Sequence, residues 1–250
     1  MFQKLMIFLL MLTTPNIFCE TIFSLDLTGQ EINQNNSINK KNASFSEVGT
    51  SLSITQTTPG FMNLELFVAS AGQINPTEDI TFSISSTQTR SSAGDLDIFY
   101  ALLDSSDIST GIFIVDEGNV ANFRLEDMTG TTFNGNRNNF DARNDQGISA
   151  PLHNFGEQGL LESTFVFSGG DVTINTSFNG VSVSQFTVAN PIDLTSDLRF
   201  VLGLNDIGEN FTVDNLSINL FTNTVPEPST YLAIIVGLLF FGLSRRKSRK

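Results

Sequence analysis

Few side chains in this sequence could make or break a covalent bond. His153 is the only histidine, and Cys19 the only cysteine. His153 lies in SAPLHNFGEQG, a stretch with the Pro and Gly of a loop, and no Gly-x-Ser-x-Gly turn presents a serine to it. A zinc-protease helix needs a second histidine, which the chain lacks. Glycoside hydrolysis needs two carboxylates, about 5–5.5 Å apart in a retaining enzyme. Asp95 and Asp97 in GDLDIFY would share one strand face, yet they stand at a strand start with no third acid after them. Non-catalytic binding is therefore the first expectation and glycan hydrolysis the alternative, with a ligand-free structural role as a third.

Binding chemistry has two candidate locations. NGNRNNFDARNDQG sets the amide of Asn134, the cations Arg137 and Arg143, and the acids Asp141 and Asp145 around Phe140. Such polar groups suit a sugar, although a solvated loop has the same composition. Sugar platforms usually stack on Trp or Tyr. This chain has no Trp and only Tyr100 and Tyr231, so a glycan would depend on the polar loop. Asp206, Glu209 and Asp214 supply hard oxygen donors within nine residues, as a structural calcium requires, and Asp95 or Asp97 could join them. Solvated turn acids are the plainer reading, because no EF-hand or nonapeptide repeat accompanies them.

The elements that must position these residues read as strands. Apolar residues alternate at Phe23, Leu25, Leu27; at Leu64, Leu66, Val68; at Ile80, Phe82, Ile84; and at Leu198, Phe200, Leu202, Leu204. Leu161, Ser163, Phe165 and Phe167 continue the pattern. Asn179-Gly180 between two alternating runs predicts a hairpin from Val172 to Val188 with a type I′ turn. A second hairpin is expected around Glu117-Gly118-Asn119. In ENFTVDNLSINL the apolar phase changes between Val213 and Leu216, which predicts a bulge at Asp214-Asn215. No long stretch has a helical period. Many short strands between polar turns predict an all-β sandwich or barrel.

The two ends differ from this body. Lys4, the apolar run Leu5–Leu12 and the breaker Pro15 have the layout of a secretory signal peptide, cut after Cys19. Acylation of Cys19 as a lipoprotein is disfavoured by the bulky Phe18 before it. The mature chain then has no cysteine, and a disulfide or a Cys-based site is excluded. At the other end, residues 230–244 predict a short membrane helix, marginal against a hydrocarbon core of about 30 Å. Arg245, Arg246, Lys247, Arg249 and Lys250 follow it and would stay cytoplasmic. Between the ends, seven basic and twenty-five acidic residues leave a net charge of −18. Such a surface repels phosphate backbones, so nucleic acid is excluded as a partner.

Pro226, Glu227 and Pro228 stand directly before the predicted helix. Tripeptide, apolar segment and Arg-rich tail in this order resemble the PEP-CTERM sorting signal of exported bacterial proteins. The resemblance implies recognition of Pro-Glu-Pro by a membrane-embedded exosortase and removal of the tail. It also implies transient residence in the inner membrane and delivery to the cell surface or extracellular matrix. FNGVSVSQFTV through DLRFVLGLNDIGENFTVDNLSI resembles the C-terminal half of a concanavalin A-like or laminin-G-like jelly roll. The expected organisation is a signal peptide over 1–19, an antiparallel two-sheet jelly-roll sandwich over 20–224, and the sorting signal over 225–250. Exopolysaccharide is the partner expected of such a body. No cofactor is expected beyond a possible structural calcium.

Overall fold

The computed structural model describes residues 18–58, 62–91, 97–104, 111–117, 122–127, 148–149, 155–204 and 207–224. The predicted signal peptide over 1–17 and the segment 225–250 lie outside the described residues. Residues 21–221 form one compact unit. A second unit comprises 1–20 and 222–250, of which only 18–20 and 222–224 are described.

The first strands are β1 (Phe18–Thr28), β2 (Ile38–Lys40), β3 (Ala43–Val48), β4 (Ser51–Gln56) and β5 (Leu64–Ala69), with a short helix α1 (Gly29–Gln34) after β1. Then come β6 (Asp79–Arg90), β7 (Asp97–Asp104), β8 (Gly111–Glu117), β9 (Asn122–Asp127) and β10 (Ile148–Ser149). The chain continues through β11 (Gln158–Ser168), β12 (Asp171–Phe178), β13 (Val181–Ala189), β14 (Leu198–Leu204) and β15 (Asn210–Thr224).

Two antiparallel sheets result. One has eight strands in the order β13-β12-β11-β6-β15-β4-β3, with β1 also paired to β15. The other has seven, in the order β10-β9-β8-β7-β14-β5-β2. The last strand of the chain thus lies inside its sheet, between β6 and β4. Alternation explains the layering: Ile80, Phe82 and Ile84 on β6 and Leu161, Phe165 and Phe167 on β11 are buried between the sheets. From the opposite sheet, Leu198, Phe200, Leu202 and Leu204 meet them. Phe82 links the layers, with its ring centroid 5.8 Å from that of Phe165 beside it and 6.4 Å from that of Phe200. Both pairs are tilted, the arrangement ring quadrupoles favour.

The Val172–Val188 hairpin forms as its turn chemistry predicts. β12 pairs with β13, and Asn179 and Gly180 have φ of 50° and 76°, positive at both central positions. β8 and β9 form the second hairpin, closing at the Glu117–Asn122 pair. Along β15, Phe211 and Val213 are buried, and then Leu216, Ile218 and Leu220. The change of phase falls at Asp214-Asn215, where the sequence places an extra residue. Helix α1 was not expected. Its local signal is a capping box: Thr28 accepts the N–H of Glu31, whose carboxylate accepts the Thr28 N–H at 2.8 Å. Six residues are too few for a helical period to register.

Candidate functional site

One end of the sandwich carries a cleft of about 350 Å³ between three connections. These are the segment from β5 to β6, the turn from β11 to β12, and the segment from β13 to β14. The second is a tight turn in which Gly169 and Gly170 have φ of 62° and 90°. Two successive residues with positive φ favour glycine at both positions. Gly-Gly between alternating runs was therefore a hairpin signal as readable as Asn179-Gly180.

Hydrogen bonds lock the other two segments. The Asn190 side chain closes on the backbone of Ile192, accepting its N–H and donating to its carbonyl, each at 2.9 Å. The Asp193 N–H donates to the buried carboxylate of Asp104 at 2.6 Å. Asp193 in turn accepts the N–H and hydroxyl of Thr195 and the hydroxyl of Ser196. The Thr195 hydroxyl, its N–H and Ser196 hold the Asp193 carboxyl below its ordinary value. Between segments, the Gly72 N–H donates to the Thr195 carbonyl at 2.9 Å and the Ala71 N–H to Asp197 at 2.7 Å. The floor of the cleft is apolar, from Phe167, Ile192 and Leu194, and its rim carries Glu78, Asp79, Asp171 and Asp193. A ring with an apolar face and outward hydroxyls suits such a lining, because ionised carboxylates only accept hydrogen bonds.

The candidate ligand residues are distributed differently. Asn134, Arg137, Phe140, Asp141, Arg143 and Asp145 lie outside the described residues, as do Asp95, His153 and Asp206. Asp97 is the first residue of β7, opposite Glu117 on β8. Glu209 ends the turn before β15, and its carbonyl accepts the Gln56 N–H at 2.9 Å. Asp214 sits five residues on along an extended strand, about 16 Å away. Its carboxylate accepts the Ser51 hydroxyl and, at 2.8 Å, the Gln158 amide. The structure therefore does not bring Glu209 and Asp214 to one ion, and it gives Asp214 a bracing role between β4, β11 and β15. Among the described residues no group of three His, Cys, Asp or Glu side chains could hold a metal.

Sequence reading missed a polar clamp beside the Glu209 turn. Asn63, fully buried, donates to Gln56 Oε1 at 2.5 Å and accepts the Leu204 N–H at 2.7 Å. The main-chain carbonyl of Gln56 ties down the turn before β15, accepting the Gly208 N–H at 2.9 Å. Replacing Asn63 by Ala removes one partner from each of these buried groups. We expect a loss of about 2–4 kcal/mol of stability. It would be read as a lower denaturant midpoint at an unchanged slope, and an unmoved midpoint would show that water replaces the amide.

A second missed feature is Glu65 on β5, buried although it faces outward from the seven-stranded sheet. Lys41 Nζ approaches it at 2.5 Å and Arg199 Nη1 at 2.7 Å. Burial pushes its carboxyl up, but the hydrogen bonds and charges of Lys41 and Arg199 outweigh that, and the net displacement is downward. A folded-state value below the unfolded one gives stability that is complete above the ordinary value of 4.5. That contribution is lost as pH falls from there through the lowered folded value. The melting temperature should therefore drop on acidification from pH 5 towards 3. Glu65→Gln should flatten that decline in thermal melts; an identical decline would place the acid sensitivity elsewhere.

The two layered antiparallel sheets define the body as an all-β sandwich. Similar solved structures include the VIP36 exoplasmic/lumenal domain in its Ca²⁺/Man3GlcNAc-bound form, with a TM-score of 0.50 and 11% identity. That likeness covers 82% of this chain and 91% of the VIP36 chain. A point variant of the Emp46p carbohydrate recognition domain also has a TM-score of 0.50 at 9% identity, covering 77% of this chain and 94% of the other. At such identities the likeness concerns the fold alone. Comparison with curated proteins gives no match. Residues 224–247 match the PEP-CTERM protein-sorting motif, as the tripeptide and tail led us to expect. That motif indicates a protein exported and sorted by exosortase to the cell surface or extracellular space. Among the described residues no helix is long and apolar enough to cross a membrane; the segment expected to do so lies outside them.

Proposed function

We propose that this protein is a non-catalytic glycan-binding component of the extracellular matrix, taking exopolysaccharide as its ligand after exosortase has removed the tail. One observation carries the reading: a surface-sorting motif and a lectin-like sandwich occupy the same chain. The apolar-floored, acid-rimmed cleft offers the body a place for a sugar ring. Calcium is the cofactor proposed with it, and the Ca²⁺-bound VIP36 domain supports that reading only by likeness of fold. The ligands of such an ion would have to include groups other than the Glu209–Asp214 pair.

The test is co-sedimentation of the processed protein with exopolysaccharide from its own host, with calcium and with chelator. Retention with calcium that disappears in chelator supports a calcium-dependent lectin. Retention in both conditions supports glycan binding and removes calcium from it. Absence from the pellet in both would leave a structural role in the matrix. Release of reducing ends during the incubation would establish hydrolysis instead.

A further inference from the structure

We infer that the outer face of the seven-stranded sheet, at β2, β5 and β14, is a binding surface for an acidic polysaccharide, with Phe67 as stacking platform and Lys41 and Arg199 as anion contacts. This rests on the glycan-binding reading and adds a ligand class and a place separate from the cleft.

Phe67 is 45% exposed on the outer face of β5, one strand in from the sheet edge. Its partner across the strand pair is Arg199. Directly opposed residues have Cβ atoms about 4.5–5.5 Å apart, so the two side chains leave the same face from neighbouring positions. The register shift between Leu198 and Arg199 sets this pairing. Two residues back on β5, Glu65 anchors both cations without consuming them. Arg199 spends Nη1 on Glu65 at 2.7 Å, and its side chain stays 25% exposed. Lys41 keeps 42% of its side chain in solvent. Asn39, opposite Glu65 on β2, adds an amide that reaches the same carboxylate at 3.3 Å. A buried carboxylate thus holds two donors still beside a flat exposed ring.

The charge distribution selects the ligand. Between residues 20 and 224 the chain has seven basic residues against twenty-five acids. Two of the seven, Lys41 and Arg199, lie on this face, whereas Arg90 is buried. The nearest acid along β14, Asp197, accepts the Ala71 N–H. An anionic polymer meets repulsion over most of this body and attraction here, within a Debye length of about 8 Å at physiological salt. A uronate unit combines the two requirements: an apolar ring face for Phe67 and a carboxylate for the planar fork of Arg199. The cleft, with its rim of carboxylates, would repel the same sugar.

Affinity electrophoresis of the full-length protein in mild detergent tests this, with polygalacturonate as the acidic probe and dextran as the neutral one. We expect retardation by polygalacturonate and not by dextran, weakening as salt is raised. Phe67→Ser and Lys41→Gln should each weaken it about threefold, and together about tenfold. Phe67 is exposed and Arg199 still neutralises Glu65 in Lys41→Gln, so both variants should fold. Retardation by dextran alone, or by polygalacturonate with no change in either variant, overturns the surface and leaves glycan binding intact. Failure of the host's exopolysaccharide as well as both probes to bind would sink both readings together.

Discussion

Replacement of Pro226, Glu227 and Pro228 by alanine should leave the protein unprocessed, full-length and in the membrane fraction. These residues stand inside the matched sorting motif, which covers 224–247. Each proline fixes φ near −65° and lacks an N–H, and each disfavours helix in the residue before it. Glu227 stands between two prolines, a sequence that favours the extended form in which a peptide enters a protease groove. Alanine would remove that constraint, so that helix is no longer disfavoured over residues 225–229. Glu227→Ala alone should have nearly the same outcome if the carboxylate is read directly. Intact mass of the protein from host cells, beside an exosortase-deficient strain, decides the matter. A variant trimmed like the wild type would show that the enzyme reads the apolar segment or the basic tail instead. The sandwich should be unaffected in every case, since the substitutions fall beyond β15.

Gly29→Ala should be the most damaging single-methyl change in the body. Gly29 is the first residue of α1, buried where the chain leaves β1. A Cβ there would lie 2.2 Å from the Val213 carbonyl oxygen and 2.3 Å from the Leu52 N–H nitrogen. Both are backbone atoms, and Val213 and Leu52 are themselves a pair in the β15–β4 ladder. Relief therefore requires moving a strand and not a side chain. We expect a cost of about 3 kcal/mol or more. For a body of this size that is a fall of about 6–12 °C in melting temperature. Gly49 is the control. Its φ of 65° disfavours alanine, but nothing lies within 4 Å of the added atom. Gly49→Ala should cost only about 1 kcal/mol, the backbone term by itself. Equal losses in the two variants would show that sterics at Gly29 do not govern stability.

The close approach at Gly29 shows what a linear reading lacks. Its neighbours Leu52 and Val213 are distant in sequence, and β15 changes partner there, pairing β4 through Asn210–Val213 and β1 elsewhere. The same distance hid the duties of Asp214. In the sequence it stood among acids and read as a calcium ligand; in the fold it binds Ser51, 163 positions away, and Gln158, 56 positions away. Glu65 meets Arg199 across 134 positions, and no local pattern marks that pair as an anchored cationic corner. The capping box at Thr28 and the Gly169-Gly170 turn are a different kind of omission, because their signals were present within four residues.

Sequence alone determined what short-range chemistry controls. Period-two alternation set which faces of β4, β6, β11 and β12 are buried, since adjacent side chains on a strand point to opposite sides. Asn179-Gly180 determined its turn because few residues tolerate positive φ. Pro226-Glu227-Pro228, the apolar segment and the basic tail determined the sorting motif, because its parts are consecutive in the chain. Tertiary structure alone decided that the last strand lies inside its sheet, that Asn63 is a buried clamp, and that Lys41, Phe67 and Arg199 share one surface. Partner choice among strands depends on which pairing closes the core and buries the apolar face of every strand at once, and that condition involves the whole chain.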